Sequence, residues 1–202
     1  SNGDTSSVDA TDDYRSFENG GKWGFSYNGK VVIPAVYDFA LEFSESLGAV
    51  QQNGKWGYID KKGKIVIPME YDFAPAFSEG LAAVQQGEKC GYIDKKGNVV
   101  IPIQYDFAWS FSEGLAPAQQ EKWGFIDKKG NVVIPMQYVE ANVFSEGLAA
   151  VRKGNKWGYI DQRGEVWLPM QYDYADDFSQ GIAIVEINGK SVKIDKQGNV
   201  IE

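Results

Sequence analysis

A short motif returns along this chain at a step of 33 or 34 residues, and few folds can accommodate that. Lys-Trp-Gly falls at Trp23, Trp56, Trp123 and Trp157, and Cys90 holds the matching place in a Lys-Cys-Gly. Ser191 continues the series one step beyond Trp157. Pro34, Pro68, Pro102, Pro135 and Pro169 follow the same step, as do Phe43, Phe77, Phe111, Phe144 and Phe178. A unit this short cannot bury its own apolar faces, so its neighbours must cover them.

Alignment on these markers divides the chain into a tail, 1–13, and one repeat domain, 14–202. The domain holds six units, 14–34, 47–68, 81–102, 115–135, 148–169 and 182–202. Five connectors of 12 residues lie between them. Each unit reads as three short antiparallel strands. In the second, strand A is Leu47 to Gln52, strand B is Lys55 to Asp60, and strand C is Lys64 to Pro68. The Asn53-Gly54 turn suits type I′, which needs positive φ at both central positions. Gly87-Glu88 and Gly154-Asn155 put Gly first, which suits type II′. Asp60 to Gly63 reads as a type I turn closed by a Gly bulge, with the Asp side chain as its cap. Pro68 marks the end of strand C, since proline cannot donate to a ladder.

Strand register predicts the faces. Val50 is expected opposite Gly57, Ile59 opposite Ile65, and Gly57 opposite Ile67. That gives one aliphatic face (Val50, Ile59, Ile65, Ile67) and one carrying Trp56, Tyr58, Val66 and Ala49. A connector Phe, such as Phe77, is expected to fill the gap at the glycine. The connectors share Tyr-Asp-Phe-Ala and Phe-Ser-Glu-Gly, as in Tyr71 to Ala74 and Phe77 to Gly80. They return the chain to the next strand A, through a turn at Ser78-Glu79-Gly80 and with room for one or two helical turns at most.

Charge is partitioned along the chain. The tail carries −4, the connectors −13 and the units +9, within a net charge of −8. The lysine turns predict a basic row, Lys61, Lys62, Lys95, Lys96, Lys128, Lys129 and Arg163, with an acidic connector edge elsewhere. Turn tips are ordinarily solvated; the functional alternative is a row that binds a polyanion such as a charged glycan.

Composition removes many chemistries. There is no His and a single Cys, so Ser-His and Cys-His dyads, His metal ligands, thiolate zinc cages and internal disulfides are excluded. Cys90 therefore reads as a core substitution. No apolar run is long enough to span a membrane as a helix. The acidic balance argues against general nucleic-acid binding. No phosphate loop, esterase elbow, zincin motif or calcium loop occurs. No cofactor, metal site or catalytic residue is expected. Trp23, Trp56, Trp123, Trp157 and the five repeated Phe are expected to form the repeat core, although Trp and Tyr rows would also suit sugar stacking. Trp109 and Trp167 occur once each, set against Pro75 and Ile67 of the other copies, and are candidates for a local contact.

Lys-Trp-Gly-Tyr-Ile-Asp-x-x-Gly-x-Val-Ile-Pro, then Tyr-Asp, then Phe-Ser-Glu-Gly-Leu-Ala, resembles the WG (KWG) repeats of bacterial proteins. The resemblance covers 14–202. Departures are Cys90 for Trp, Ser191-Val192 for Trp-Gly, and Ser26-Tyr27 for Ile-Asp. Asn-Gly-Lys-Trp-Gly-Tyr-Ile-Asp is more weakly similar to the cell-wall (choline)-binding β-hairpin repeats, without their caging aromatics. The WG resemblance implies an all-β repeat module, often exported, and no established reaction.

The expected fold is an open, twisted or curved array of six antiparallel units, with a closed six-bladed propeller-like ring as the alternative. Altered end copies and the absence of a strand lent between termini favour the open form. The tail reads as a flexible acidic linker, or a mature end left after removal of a signal. The expected function is a non-catalytic module for protein or glycan binding or scaffolding, at a bacterial cell surface or outside the cell. A structural spacer and a glycosidase working through two carboxyl groups are the alternatives.

Overall fold

The computed structural model describes residues 14–201; the tail 1–13 lies outside the described residues. Every element described is a strand. The first sheet is β1 (Tyr14–Asn19), β2 (Lys22–Tyr27) and β3 (Lys30–Tyr37). The second is β4 (Phe39–Ala40), β5 (Gly48–Gln52), β6 (Lys55–Ile59) and β7 (Ile65–Tyr71). The third is β8 (Leu81–Gln86), β9 (Lys89–Asp94) and β10 (Val99–Tyr105). The fourth is β11 (Phe107–Ala108), β12 (Ala116–Gln120), β13 (Lys122–Ile126) and β14 (Val132–Tyr138). The fifth is β15 (Glu140–Ala141), β16 (Ala149–Lys153), β17 (Lys156–Ile160) and β18 (Val166–Tyr172). The sixth is β19 (Tyr174–Ala175), β20 (Ile182–Ile187) and β21 (Lys190–Asp195).

The fold is thus an all-β tandem array. It is open in the topological sense. Among the described residues each sheet uses strands consecutive in sequence, none takes a strand from the far end of the described chain, and none closes into a barrel. The chain divides into two compact units, one running up to Glu88 and including Tyr92–Val99, the other formed by Lys89–Gly91 and the chain from Val100 onward.

Turn chemistry accounts for the hairpins. Asn53 and Gly54 both have positive φ, +55° and +80°, as type I′ requires. Asp60 caps its turn by accepting from the Lys62 and Lys64 backbone N–H at 2.9 Å each. The connector turn is a second two-residue hairpin, closed by reciprocal bonds between Ser44 and Leu47.

Several expectations are corrected. Strand C does not stop at the proline: β7 runs through Pro68 to Tyr71. Nor does Gly57 face Ile67. Tyr58 pairs with Ile67 and Trp56 with Tyr71, so strand C carries a bulge of Pro68, Met69 and Glu70 opposite the glycine. A Cβ on Gly57 would meet the Ile67 carbonyl oxygen at 2.4 Å. No connector Phe fills this space; strand C backbone does. Proline is tolerated because strand C is an edge strand and leaves the ladder there. A second, one-residue bulge falls at Val66, between the Ile59–Ile65 and Tyr58–Ile67 pairs, and Ile65 and Val66, expected on apolar faces, are exposed. Finally, the connectors hold no helical turn. Each continues strand C, and in the second, fourth, fifth and sixth sheets contributes a two-residue strand to the next sheet.

Within each unit the core forms between successive sheets. Phe25, Ile33, Phe43, Val50 and Ile59 pack together in the first unit. Phe125, Ile134, Phe144, Val151 and Ile160, and then Tyr159, Leu168, Phe178, Val185 and Ile194, do so in the second. Each connector Phe that is fully buried contributes about 1.5–3 kcal/mol. The repeated Phe-Ser-Glu-Gly joins one copy to the next. Ser44 Oγ donates to the Phe77 carbonyl at 2.7 Å, and the Glu45 carboxylate accepts from Gly80 N–H at 2.9 Å. Ser112 with Phe144, Ser145 with Phe178, and Glu113 with Gly147 repeat this.

Connector acids do not form a separate edge. Asp38 accepts from the Lys22 ammonium of one copy and, at 2.9 Å, from Asn53 N–H of the next. Asp72, Asp106 and Asp173 do the same with Lys55, Lys89 and Lys156. The lysines hold Asp38, Asp72 and Asp173 below the usual carboxylate range, and chiefly the Glu121 amide does so for Asp106.

Two outcomes follow for stability. Gly57→Ala should cost about 1–3 kcal/mol in urea unfolding, because the new methyl meets backbone. Gly54→Ala, whose Cβ would meet nothing within 4 Å, should cost only the strain of its positive φ, about 1 kcal/mol. The lowered Asp residues stabilise the fold fully above their unfolded pKa, about 4, and progressively less as pH falls through their folded values. The thermal midpoint should therefore hold from pH 7 to about 5 and fall below about 4.

Candidate functional site

The repeat covers its tryptophans in a regular way. Trp56 and Trp157 are buried, and each meets an exposed aromatic 17 positions on: Phe73 edge-on at 5.6 Å and Tyr174 edge-on at 5.8 Å. Trp123 departs from this. Its counterpart is Glu140, and the preceding Asp of the motif is Val139. Instead Trp109, from the connector before, lies parallel to Trp123 at 3° with ring centroids 6.0 Å apart.

Replacing a ring with a carboxylate leaves a cleft of about 380 Å³ on the second unit. Its walls are Phe107, Trp109 and Trp123; its rim is Gln119, Val139, Glu140, Ala141 and Asn142. Strand pairing sets the positions. Phe107 is opposite Gln119, and Glu140 is opposite Arg152. Trp109 N–H donates to the Pro117 carbonyl at 2.9 Å, which fixes its backbone. Its side chain is 52% exposed, whereas Trp123 is buried.

The charged residue of the rim is paired. Arg152 donates to Glu140 at 2.9 Å and to the Gly154 carbonyl at 2.8 Å. A smaller hollow of about 290 Å³ shares Trp109 and Asn142 and adds Val143 and Asp177. Asn142 Nδ2 donates to Asp177 at 3.3 Å. Burial pushes the Asp177 carboxyl above its ordinary range, and the neighbouring Asp176 charge adds to this, against the Asn142 hydrogen bond.

The residues singled out from sequence fall in different places. Trp109 lies at the cleft. Trp167 aligns with Val66 rather than Ile67; it is half exposed, and its indole N–H donates to the Lys196 carbonyl at 2.6 Å, tying β18 to the last turn. Lys62, Lys95, Lys96, Lys128, Lys129 and Arg163 are exposed on turn tips. Lys61 lies 5.6 Å from the Tyr14 ring centroid. Acids interleave with these turns: Gln162 donates to Glu113 at 3.3 Å, and Lys196 contacts Glu146 at 3.4 Å. Trp23 is half-buried; Trp56, Trp123, Trp157, Phe43, Phe77, Phe111, Phe144 and Phe178 are buried. Cys90 is buried, and burial pushes its thiol up. Val139, Glu140 and Asn142 were not singled out; the signal for the first two is that one connector alone lacks the Asp and the aromatic ring of the Tyr-Asp-aromatic-Ala motif.

The model of the WG containing repeat family matches five times in tandem, at residues 25–56, 56–90, 91–122, 123–157 and 157–190. No curated protein matches the sequence. Among solved structures, a eukaryotic initiation factor is similar with a TM-score of 0.62 and 11% identity, over 93% of this chain and 62% of that one. Hsv2 of Kluyveromyces lactis is similar with a TM-score of 0.60 and 10% identity, over 93% and 71%. The extracellular domain of a putative hybrid two component system from B. thetaiotaomicron gives 0.51 and 10%, over 96% and 35%. At these identities the likeness is one of fold alone, and the chain spans under two thirds of the first and third of these proteins.

Asp177 yields a pH test. Its raised pKa penalises the folded state once the carboxyl ionises, and not while both states are protonated. Asp177→Asn should therefore raise the thermal midpoint at pH 7 and change it less at pH 3.

Proposed function

The chain belongs to the WG containing repeat family, and from that premise we propose that it is a non-catalytic binding module for protein or glycan, working at a bacterial cell surface. The observation that carries this reading is the cleft at Trp109. One copy departs from the repeat at Val139 and Glu140 together, and the result is an exposed indole above a concave, partly polar site. Local departures from a regular array are where an array gains a specific contact, since the remaining copies supply the rigid frame. The extracellular domain among the similar folds supports the surface location.

A non-catalytic role is supported by how the acids are used. Asp60, Asp94, Asp127, Asp161 and Asp195 cap turns. Asp38, Asp72, Asp106 and Asp173 clip neighbouring copies together. These groups are committed to structure rather than held at a reacting centre.

The test is a binding screen with the chain immobilised, against cell-wall polysaccharides, a glycan array and surface-protein extracts, with hydrolysis of the same glycans measured alongside. The expected outcome is saturable binding to at least one class without turnover. A blank screen would leave the spacer, and glycan cleavage would make the protein an enzyme.

A further inference from the structure

Resting on the reading of the chain as a binding module, we infer that the Trp109–Trp123 cleft is a subsite for an uncharged pyranose oligosaccharide. Four features of the cleft converge on this ligand class.

The first is the exposed ring. A half-exposed indole lying parallel to a buried one presents a flat, rigid apolar platform, held by the Trp109–Pro117 backbone bond. The C–H face of a pyranose is flat and apolar and stacks on such a surface at little conformational cost to the protein. The second is charge. Glu140, the charged residue of the lining, is neutralised by Arg152 at 2.9 Å, and the next carboxyl, Asp177, lies in the adjoining hollow beside Asn142. A polyanion would meet the Glu140 and Asp177 carboxyls and a cation the Arg152 guanidinium, whereas an uncharged ligand meets neither repulsion.

The third is hydrogen-bonding character. Gln119, Glu140 and Asn142 put two side-chain amides and a carboxylate around the platform. Sugar hydroxyls donate and accept, so they can use all three. A polyproline segment also stacks on aromatics but brings no N–H at its prolines, and would offer no donor to the Gln119 and Asn142 amide oxygens. The fourth is size. The cleft, at about 380 Å³, lies within the ordinary range for small-ligand sites, about 300–1,000 Å³. Its open side allows a chain of sugars to continue beyond it.

The experiment is titration of the chain with cellohexaose, laminarihexaose and chitohexaose, followed by calorimetry and by tryptophan fluorescence. Polygalacturonate and a decaproline peptide serve as charged and peptide comparators. At least one neutral hexaose should bind and shift the indole emission. Trp109→Ala should weaken it tenfold or more. Glu140→Phe, which restores the ring other copies carry and closes the cleft, should also weaken it, while Trp167→Ala should leave it unchanged. Equal thermal midpoints for the variants establish that folding is intact; if Trp109→Ala does not fold, Glu140→Phe decides alone. Loss of affinity only for polygalacturonate or decaproline would overturn the inference, as would hexaose binding indifferent to Glu140→Phe. If no hexaose binds but the surface-protein screen is positive, this subsite is refuted while the binding-module reading stands. If both are blank, both fall.

Discussion

The structure turns on a missing methyl group. In five copies a Cβ on the glycine after the Trp or Cys would lie 2.4–2.8 Å from the carbonyl of the aliphatic residue before the proline. That space is occupied by strand C itself. With glycine present, strand C bulges away from strand B, accepts proline, and returns to pair its Tyr with the Trp. The Tyr-Asp that follows is thereby aimed at the hairpin of the next copy. The short connector strand, the Asp clip and the Phe-Ser-Glu-Gly link depend on that exit. The Trp-Gly step is a steric requirement first and an aromatic core second.

Once the exit is set, copies are joined by contacts that are individually small and repeated. The Ser–carbonyl, Glu–amide and Asp–Lys pairs lie near the surface, where each contributes modestly. Burial of the connector Phe between sheets supplies the larger share. The arrangement explains why charge that looks segregated along the chain is mixed in space. An acid in a connector and a base in a unit are distant on the alignment but adjacent across the copy boundary. It also confines diversity. Strand residues are held by two neighbouring sheets, whereas the connector positions equivalent to Phe73 and Pro75 are not, and the cleft arises at those positions.

Much of the fold could be read from residue spacing. The period, the hairpin turns, the Asp caps and the pairing of Val50 with Gly57 and Ile59 with Ile65 all appear in the structure. These are local consequences of turn chemistry and strand alternation, which act within a few residues. The bulge at Pro68 was not legible, because proline has two ways to avoid a ladder. It can end the strand or carry it off the ladder, and only the neighbouring backbone selects between them. The faces of strand C were misread because one extra residue, Val66, moves Ile67 from Gly57 to Tyr58 and so resets the alternation.

The candidate site shows the same division. Trp109 stood out as an aromatic without counterparts, and composition had already removed histidine and thiol chemistry. Its partners Val139, Glu140, Asn142 and Arg152 looked like ordinary variation, because each is an unremarkable surface residue alone. Their meaning comes from juxtaposition: the cross-strand pairing of Glu140 with Arg152, and the stacking of one connector's Trp on the next copy's Trp. One-dimensional spacing carries a repeat's period and its turns because those interactions are short in sequence. A cleft is made by residues tens of positions apart, and only the packing of copy on copy brings them together.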